Sequence, residues 1–174
     1  VQSIDSVFGA DDANYSIDLI SGVPGLTLAK WVETLQQAAS LKPRPSHMSI
    51  YDLQIEQGTV FSKWYEQPTP STPPASRLAL PTEGDSAFMY TSAAGYLRSK
   101  KYEHYEVSSY AYRGENEMQR STKRSRHNQI YWAPSSSWYA IGLGATSSVN
   151  GRLRSRPTEL VPYYSWAANL EREE

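Results

Sequence analysis

The sequence predicts an α/β domain, and three neighbouring stretches carry that prediction. An apolar run, "YSIDLISGVPG" (15 to 25), ends in a Gly-Val-Pro-Gly turn and has the composition of a buried strand with a tight exit. "TLAKWVETLQQAASL" (27 to 41) follows, with Leu28, Trp31, Val32, Leu35, Ala38 and Ala39 at the i, i+3, i+4, i+7 spacing of an amphipathic helix. "HMSIYDLQIE" (47 to 56) is a second strand, closed by Gln57-Gly58. Strand, helix and strand with short connections form a βαβ unit, so the two strands are expected to be parallel with a right-handed crossover.

The remaining elements follow in order. Thr27 is the expected N-cap of the first helix, and Pro43 stops it. From Gln67 to Gly84, five prolines and little pattern mark a surface insertion. Residues 85 to 99 read as a helix with Phe88, Met89, Ala93, Tyr96 and Leu97 on one side. "KYEHYEVSSYA" (101 to 111) is rich in aromatic and branched residues, hence a strand and the sign of another βα repeat. The basic, polar stretch from 113 to 126 is a loop. "WYAIGLGATSSVNGRLRSR" (138 to 156) combines glycine-rich chain, an Asn150-Gly151 turn and a strand-like basic run. A final helix is expected over 157 to 171, with Pro157 in its first turn. The whole of 1 to 174 is read as one domain.

Composition narrows the function. The 174 residues carry a formal charge of −1, so no global field draws the chain to nucleic acid. No apolar run approaches the roughly 20 residues of a membrane helix, which leaves only peripheral membrane contact open. The chain starts at Val1 without a signal-peptide pattern and ends on "NLEREE" with no closing element, as a processed protein or a fragment would. There is no cysteine, which removes disulfides, thiolate metal sites and a cysteine nucleophile within these residues. No nucleophile elbow, HExxH or paired-carboxylate signature is present.

Several residues invite a chemical role. His127, in "SRHNQIYW" (125 to 132), is one of three histidines. A neutral imidazole there could ligate heme iron, with Tyr131 and Trp132 flanking a flat ring. Alternatively, His127 and Asn128 hydrogen-bond a loop and the rings are core. Arg120, Lys123, Arg124 and Arg126 precede the motif with no acidic residue between them, and Arg152, Arg154 and Arg156 alternate along the basic strand. The first two read as solvated; arginine forks in general suit carboxylates such as propionates. In "YEHYEV", alternation places Glu103 and Tyr105 on one face and His104 and Glu106 on the other. A His-Glu pair there is a general base, a metal site or a structural pair. His47 reads as an exposed strand start.

Five phrases in order, "SIDLISGVPGLTLAKW", "MSIYDLQIEQGTVF", "YEHYEVSSYA", "RHNQIYW" and "GLGATSSVNGRLRSRP", resemble the radical S-adenosylmethionine (SAM) family. The resemblance is to its branch of oxygen-independent coproporphyrinogen III oxidases and HemW-type heme chaperones, and "RHNQIYW" and "YEHYEVSSYA" look more like the HemW side. It implies the C-terminal part of a partial (β/α) barrel with ligands at the C-terminal strand ends. It further implies SAM and a 4Fe-4S cluster in the full-length family, and heme held at His127, Asn128, Tyr131 and Trp132, with His127 on the iron. Asp18, Gln54 and Thr146 match SAM-lining positions of the family, although Asp18 could instead tie down the turn after its strand. Implied partners are the N-terminal barrel half and heme-accepting hemoproteins, in the cytoplasm or in a mitochondrion or plastid.

The chain departs from the family pattern where the cysteine motif would stand and in the short segment before "NYSIDLI". It departs again in its longer basic stretch before "RHN", in Ser125 where the family often has cysteine, and in the missing C-terminal extension. Without cluster cysteines this chain alone is not expected to generate a radical. Three functions are therefore weighed: a heme-binding chaperone of the HemW type, a radical SAM coproporphyrinogen dehydrogenase of porphyrin biosynthesis, and a degenerate barrel serving as an interaction subunit.

Overall fold

A computed structural model describes residues 14–65, 78–114, 123–133 and 136–170. These fall into two compact units, one up to Arg124 and one from Ser125 onward. Most of the proline-rich insertion, Arg120 and the centre of the basic stretch lie outside the described residues.

The first unit begins with the expected βαβ. Strand β1 (Ser16–Ser21) lies parallel to β2 (His47–Asp52), with Asp18 level with Ser49. Helix α1 (Leu28–Ala39) connects them, and the Thr27 hydroxyl accepts from the Lys30 backbone N–H as N-cap. Trp31, Leu35, Ala38 and Ala39 are buried, four of the six residues that periodicity selects. After β1, Gly22 has φ +75°, and a Cβ there would sit 2.7 Å from Asp52 Oδ1, so this position needs glycine for both conformation and space. A short helix α2 (Val60–Tyr65) follows β2 where the sequence suggested no element. Its start is held by Thr59, whose hydroxyl accepts from the Ser62 N–H at 3.0 Å.

Helix α3 (Glu83–Ser99) begins two residues earlier than expected, inside the stretch read as insertion, because Thr82 and Asp85 form a capping box. Met89, Ala93 and Leu97 are buried as expected, whereas Phe88 is 49% exposed. The β-rich run after α3 is two strands, β3 (Tyr102–Glu106) and β4 (Ser109–Tyr112), paired antiparallel. β4 then pairs antiparallel with β2, giving the order β1-β2-β4-β3. The expected second βα repeat is thus a hairpin, closed at Val107 and Ser108.

This sheet has two unlike faces. Helices α1 and α3 cover one, where Met48, Ile50, Tyr102 and Tyr110 join Trp31, Leu35, Met89 and Leu97 in a single core, with Ile17 and Leu19 packed against it. The Trp31 indole N–H donates to the Met89 carbonyl at 2.9 Å and ties the two helices together. β1 is only half buried: Ser16, Asp18 and Ile20 face away from the helices and are exposed. The apolar run that suggested a fully buried strand lies at the sheet edge, where only alternate residues meet the core.

In the second unit, "RHNQIYW" is helix α4 (Arg126–Trp132), not a turn. Strands β5 (Thr146–Val149) and β6 (Arg152–Ser155) form a hairpin. Asn150 and Gly151 close it at φ 51° and 73°, the primed-turn geometry expected of Asn-Gly. Helix α5 (Leu160–Leu170) starts three residues later than expected, so Pro162 rather than Pro157 sits in its first turn.

Candidate functional site

The helix-free face of the four-stranded sheet is polar, and its residues follow from register. One row across the strands reads Ser16, His47, Ala111, Glu103. The next reads Asp18, Ser49, Ser109, Glu106. Glu106 joins this row because a β-bulge lies between His104 and Glu106; the added residue reverses the alternation. His104 and Glu106 therefore occupy opposite faces, which corrects the expectation that they share one. His104 stacks on Tyr110 at 4.3 Å with 10° between the rings, and its Nε2 lies 3.0 Å from the Val107 carbonyl. It is a structural histidine, and among the described residues no cluster of three metal-ligating side chains occurs.

His47 is the larger correction. It is buried, at 7% exposure, because it starts the strand second from the edge, with β1 and β4 on its two sides. Ser16 Oγ lies 2.9 Å from its Nδ1 and Tyr105 Oη 2.7 Å from its Nε2. Burial holds the imidazole below its ordinary range, against the opposing charges of Asp18 and Glu106. Beside this chain, Arg124 grips Glu103 with Nε at 3.1 Å and Nη2 at 2.5 Å, while Arg113 approaches to 3.7 Å. The bidentate bond raises the guanidinium's proton affinity further. Arg124, which falls in the stretch read as a loop, is thus anchored to the sheet. Gln54 stands two residues past β2, exposed, with its amide 3.5 Å from Asp52 Oδ2. No hydrogen bond between Asp18 and Gln54 occurs among the described residues.

The second site residue group is on α4. Ser125 caps the helix by accepting from the Asn128 N–H at 3.3 Å, which gives this serine a local role. His127 and Tyr131 are one turn apart, so they meet on one side of the helix; their rings are 4.8 Å apart and 77° inclined. Tyr131 in turn meets Trp138 edge-on at 5.0 Å. His127 is exposed, and its ring nitrogens make no hydrogen bond among the described residues. Ile130, Tyr131 and Trp132 are 44%, 46% and 71% exposed, so α4 presents an imidazole amid uncovered apolar surface. Trp132 lies about 100° around the helix from Tyr131 and does not belong to the His127–Tyr131–Trp138 file. Thr146 Oγ1 is bonded to Ser155 Oγ at 2.8 Å.

Sequence reasoning missed the Ser16–His47–Tyr105 chain and the Glu103–Arg124 pair. For His47 the signal was available: in parallel register it falls beside Ser16, two residues from Asp18, on the face that α1 does not cover. The Arg124 contact spans 21 positions and left no local trace.

No protein-family model matches the chain. A heme chaperone HemW from Synechocystis sp. is 35% identical over 165 residues, 95% of this chain and 35% of that protein. The heme chaperone HemW of Lactococcus lactis is 30% identical across 98% of this chain and 40% of its own length. A mitochondrial radical S-adenosyl methionine domain-containing protein 1 of Danio rerio is 28% identical over 75% of the chain and 25% of its own length. Among solved structures, the radical SAM enzyme coproporphyrinogen III oxidase (HemN) of Escherichia coli superposes on 88% of this chain and 34% of its own, with a TM-score of 0.61 at 16% identity. The chain spans about 35–40% of the length of the first two of these relatives. With an α/β fold shared with one radical SAM enzyme and sequence similarity along nearly its whole length to HemW proteins, this chain resembles the HemW-like, coproporphyrinogen-oxidase-like radical SAM family.

Proposed function

We infer that the chain is the heme-binding part of a HemW-type heme chaperone, with heme as its cargo and hemoproteins as the recipients. The observation that carries this is the exposed His127 on α4, braced edge-on by Tyr131, with exposed Ile130 one turn further along the same side. These residues fit the group. An imidazole nitrogen can ligate the iron, and uncovered aromatic and aliphatic side chains can take up the porphyrin's apolar area. Tyr131 limits the swing of the His127 ring, and the Ser125 cap fixes the first turn on which both Asn128 and His127 sit. An exposed ligand suits a protein that must pass its cargo on rather than retain it.

The four-stranded sheet, on this reading, is part of a partial (β/α) barrel whose polar face looks inward, and both compact units belong to that one domain. The resemblance to the family assigns Asp18, Gln54 and Thr146 to SAM. No cysteine is present to hold the iron–sulfur cluster, so the residues do not fit that group and no radical step is drawn for this chain. The coproporphyrinogen-dehydrogenase reading stands only as the family's other branch.

Titration of hemin into the purified chain and into His127→Ala, followed by the Soret band, tests the proposal. A saturable, near-stoichiometric shift in the parent, weakened at least tenfold in the variant, is the expected result. Equal spectra from two equally folded proteins would make His127 structural and overturn it.

A further inference from the structure

The hairpin β5–β6 has a second face that the heme reading leaves unused. Its register sets Ser147 opposite Arg154 and Val149 opposite Arg152, so both arginines project from the same side as Ser147 and Val149. These four residues, with Tyr139, Arg156 and Trp166, line a cavity of about 700 Å³, within the range of small-molecule sites. Trp138 is bridged to Ser148 on the other side of β5, and paired residues share a face. The Trp138–Tyr131–His127 file therefore lies on the opposite face of the hairpin from the arginines. The cavity is distinct from the α4 surface.

Its electrostatics are one-sided. Arg152 and Arg154 are two residues apart along one face, about 6.7 Å by strand geometry, and like charges so placed repel. Among the described residues no carboxylate pairs with Arg152, Arg154 or Arg156. The Arg156 guanidinium lies 5.3 Å from the centre of the Trp166 ring, which orients it across the cavity wall. Its Nη1 is buried without a hydrogen-bond acceptor among the described residues, a costly state for a charged donor. At the floor, the Ser147 hydroxyl accepts from the Ala140 N–H at 3.0 Å, so its own proton points elsewhere. Three guanidinium forks and a hydroxyl donor, with few acceptors between them, form a donor set for oxygen anions. The Tyr139 and Trp166 rings supply flat apolar walls.

We propose that this cavity binds a small multivalent oxyanion, a ligand presenting two or more phosphoryl or carboxylate groups, through Arg152, Arg154 and Arg156. The site is independent of heme binding at His127. An anion bridging Arg152 and Arg154 removes their repulsion and gives Arg156 an acceptor.

Calorimetric titration of the full chain with pyrophosphate and, separately, with tricarballylate at fixed ionic strength tests this. At least one of the two is expected to bind saturably at one site, and the tighter one tells whether the groups are phosphoryl or carboxylate. Arg152→Gln and Arg154→Gln are each expected to weaken that binding at least tenfold. Arg154→Lys, which keeps the charge but loses the fork, should fall between, and His127→Ala should bind the anion as the parent does. If Arg154→Gln is misfolded by circular dichroism, Arg152→Gln decides the matter, because that side chain is exposed. Absence of saturable binding by the folded parent to either anion would overturn the proposal. So would binding that both glutamine variants retain.

Discussion

At the scale of single residues, His47 departs from the place that the sequence suggested, whereas His127 had two readings open. His47, expected at the surface, is enclosed by Ser16 and Tyr105, and His127, open to a ligand role or to hydrogen bonds in a loop, is exposed on α4. The enclosure has a pH consequence. Burial lowers the folded-state proton affinity of His47 below the ordinary value of 6.5, so the unfolded chain takes up the proton first. The stability contributed by neutral His47 is complete above pH 6.5 and is lost as pH falls through 6.5 toward the lower folded value. Urea unfolding at steps between pH 7.5 and 5 should show the parent losing stability more steeply than His47→Gln, in which this titration is absent. Identical slopes would mean that His47 titrates alike in both states. The warning lay in the parallel register that sets His47 beside Ser16; strand position alone leaves a histidine compatible with either face.

At the scale of elements, the parts with strong periodicity were legible. Helix α1 and its Thr27 cap, the parallel β1–β2 pair and the Asn150-Gly151 hairpin each follow from local pattern, because spacing and turn chemistry act within a few residues. The β3–β4 hairpin was hidden for a physical reason. Its turn residues are Val107 and Ser108, neither with positive φ among the described residues, so no glycine or asparagine announces it. Val107 is 72% exposed yet reads as strand by composition. Helices α1 and α3 meet over the sheet in one core. Trp31, 1% exposed and bonded to the Met89 carbonyl, is the largest side chain in that contact. Trp31→Ala should cost about 3–5 kcal/mol, read as a drop in the urea midpoint with an unchanged slope. A cost under about 1 kcal/mol would show that the helices repack without it.

At the scale of the whole molecule, the chain spans 35–40% of the length of the HemW proteins it resembles, and its composition limits its chemistry. The lack of cysteine predicts that anaerobic reconstitution with ferrous iron and sulfide leaves the purified protein without the charge-transfer absorption of a thiolate-bound cluster, and that added SAM stays intact. Appearance of a stoichiometric cluster band would require ligands of another kind. Of the candidate site, the His127–Tyr131 contact was readable because it is one helical turn long. The polar sheet face was not, because it assembles from four strands and depends on one inserted residue. That insertion in β3 acts as a sorter: it sends the imidazole of His104 to the oily side and the carboxylate of Glu106 to the wet side, two positions away in the chain. Were β3 to alternate strictly through Tyr105, the ionised Glu106 carboxylate would fall on the side of Tyr110, under α3. The polar face of the sheet and its dry core are thus kept apart by that bulge, and a β3 of the same length paired without it would mix them.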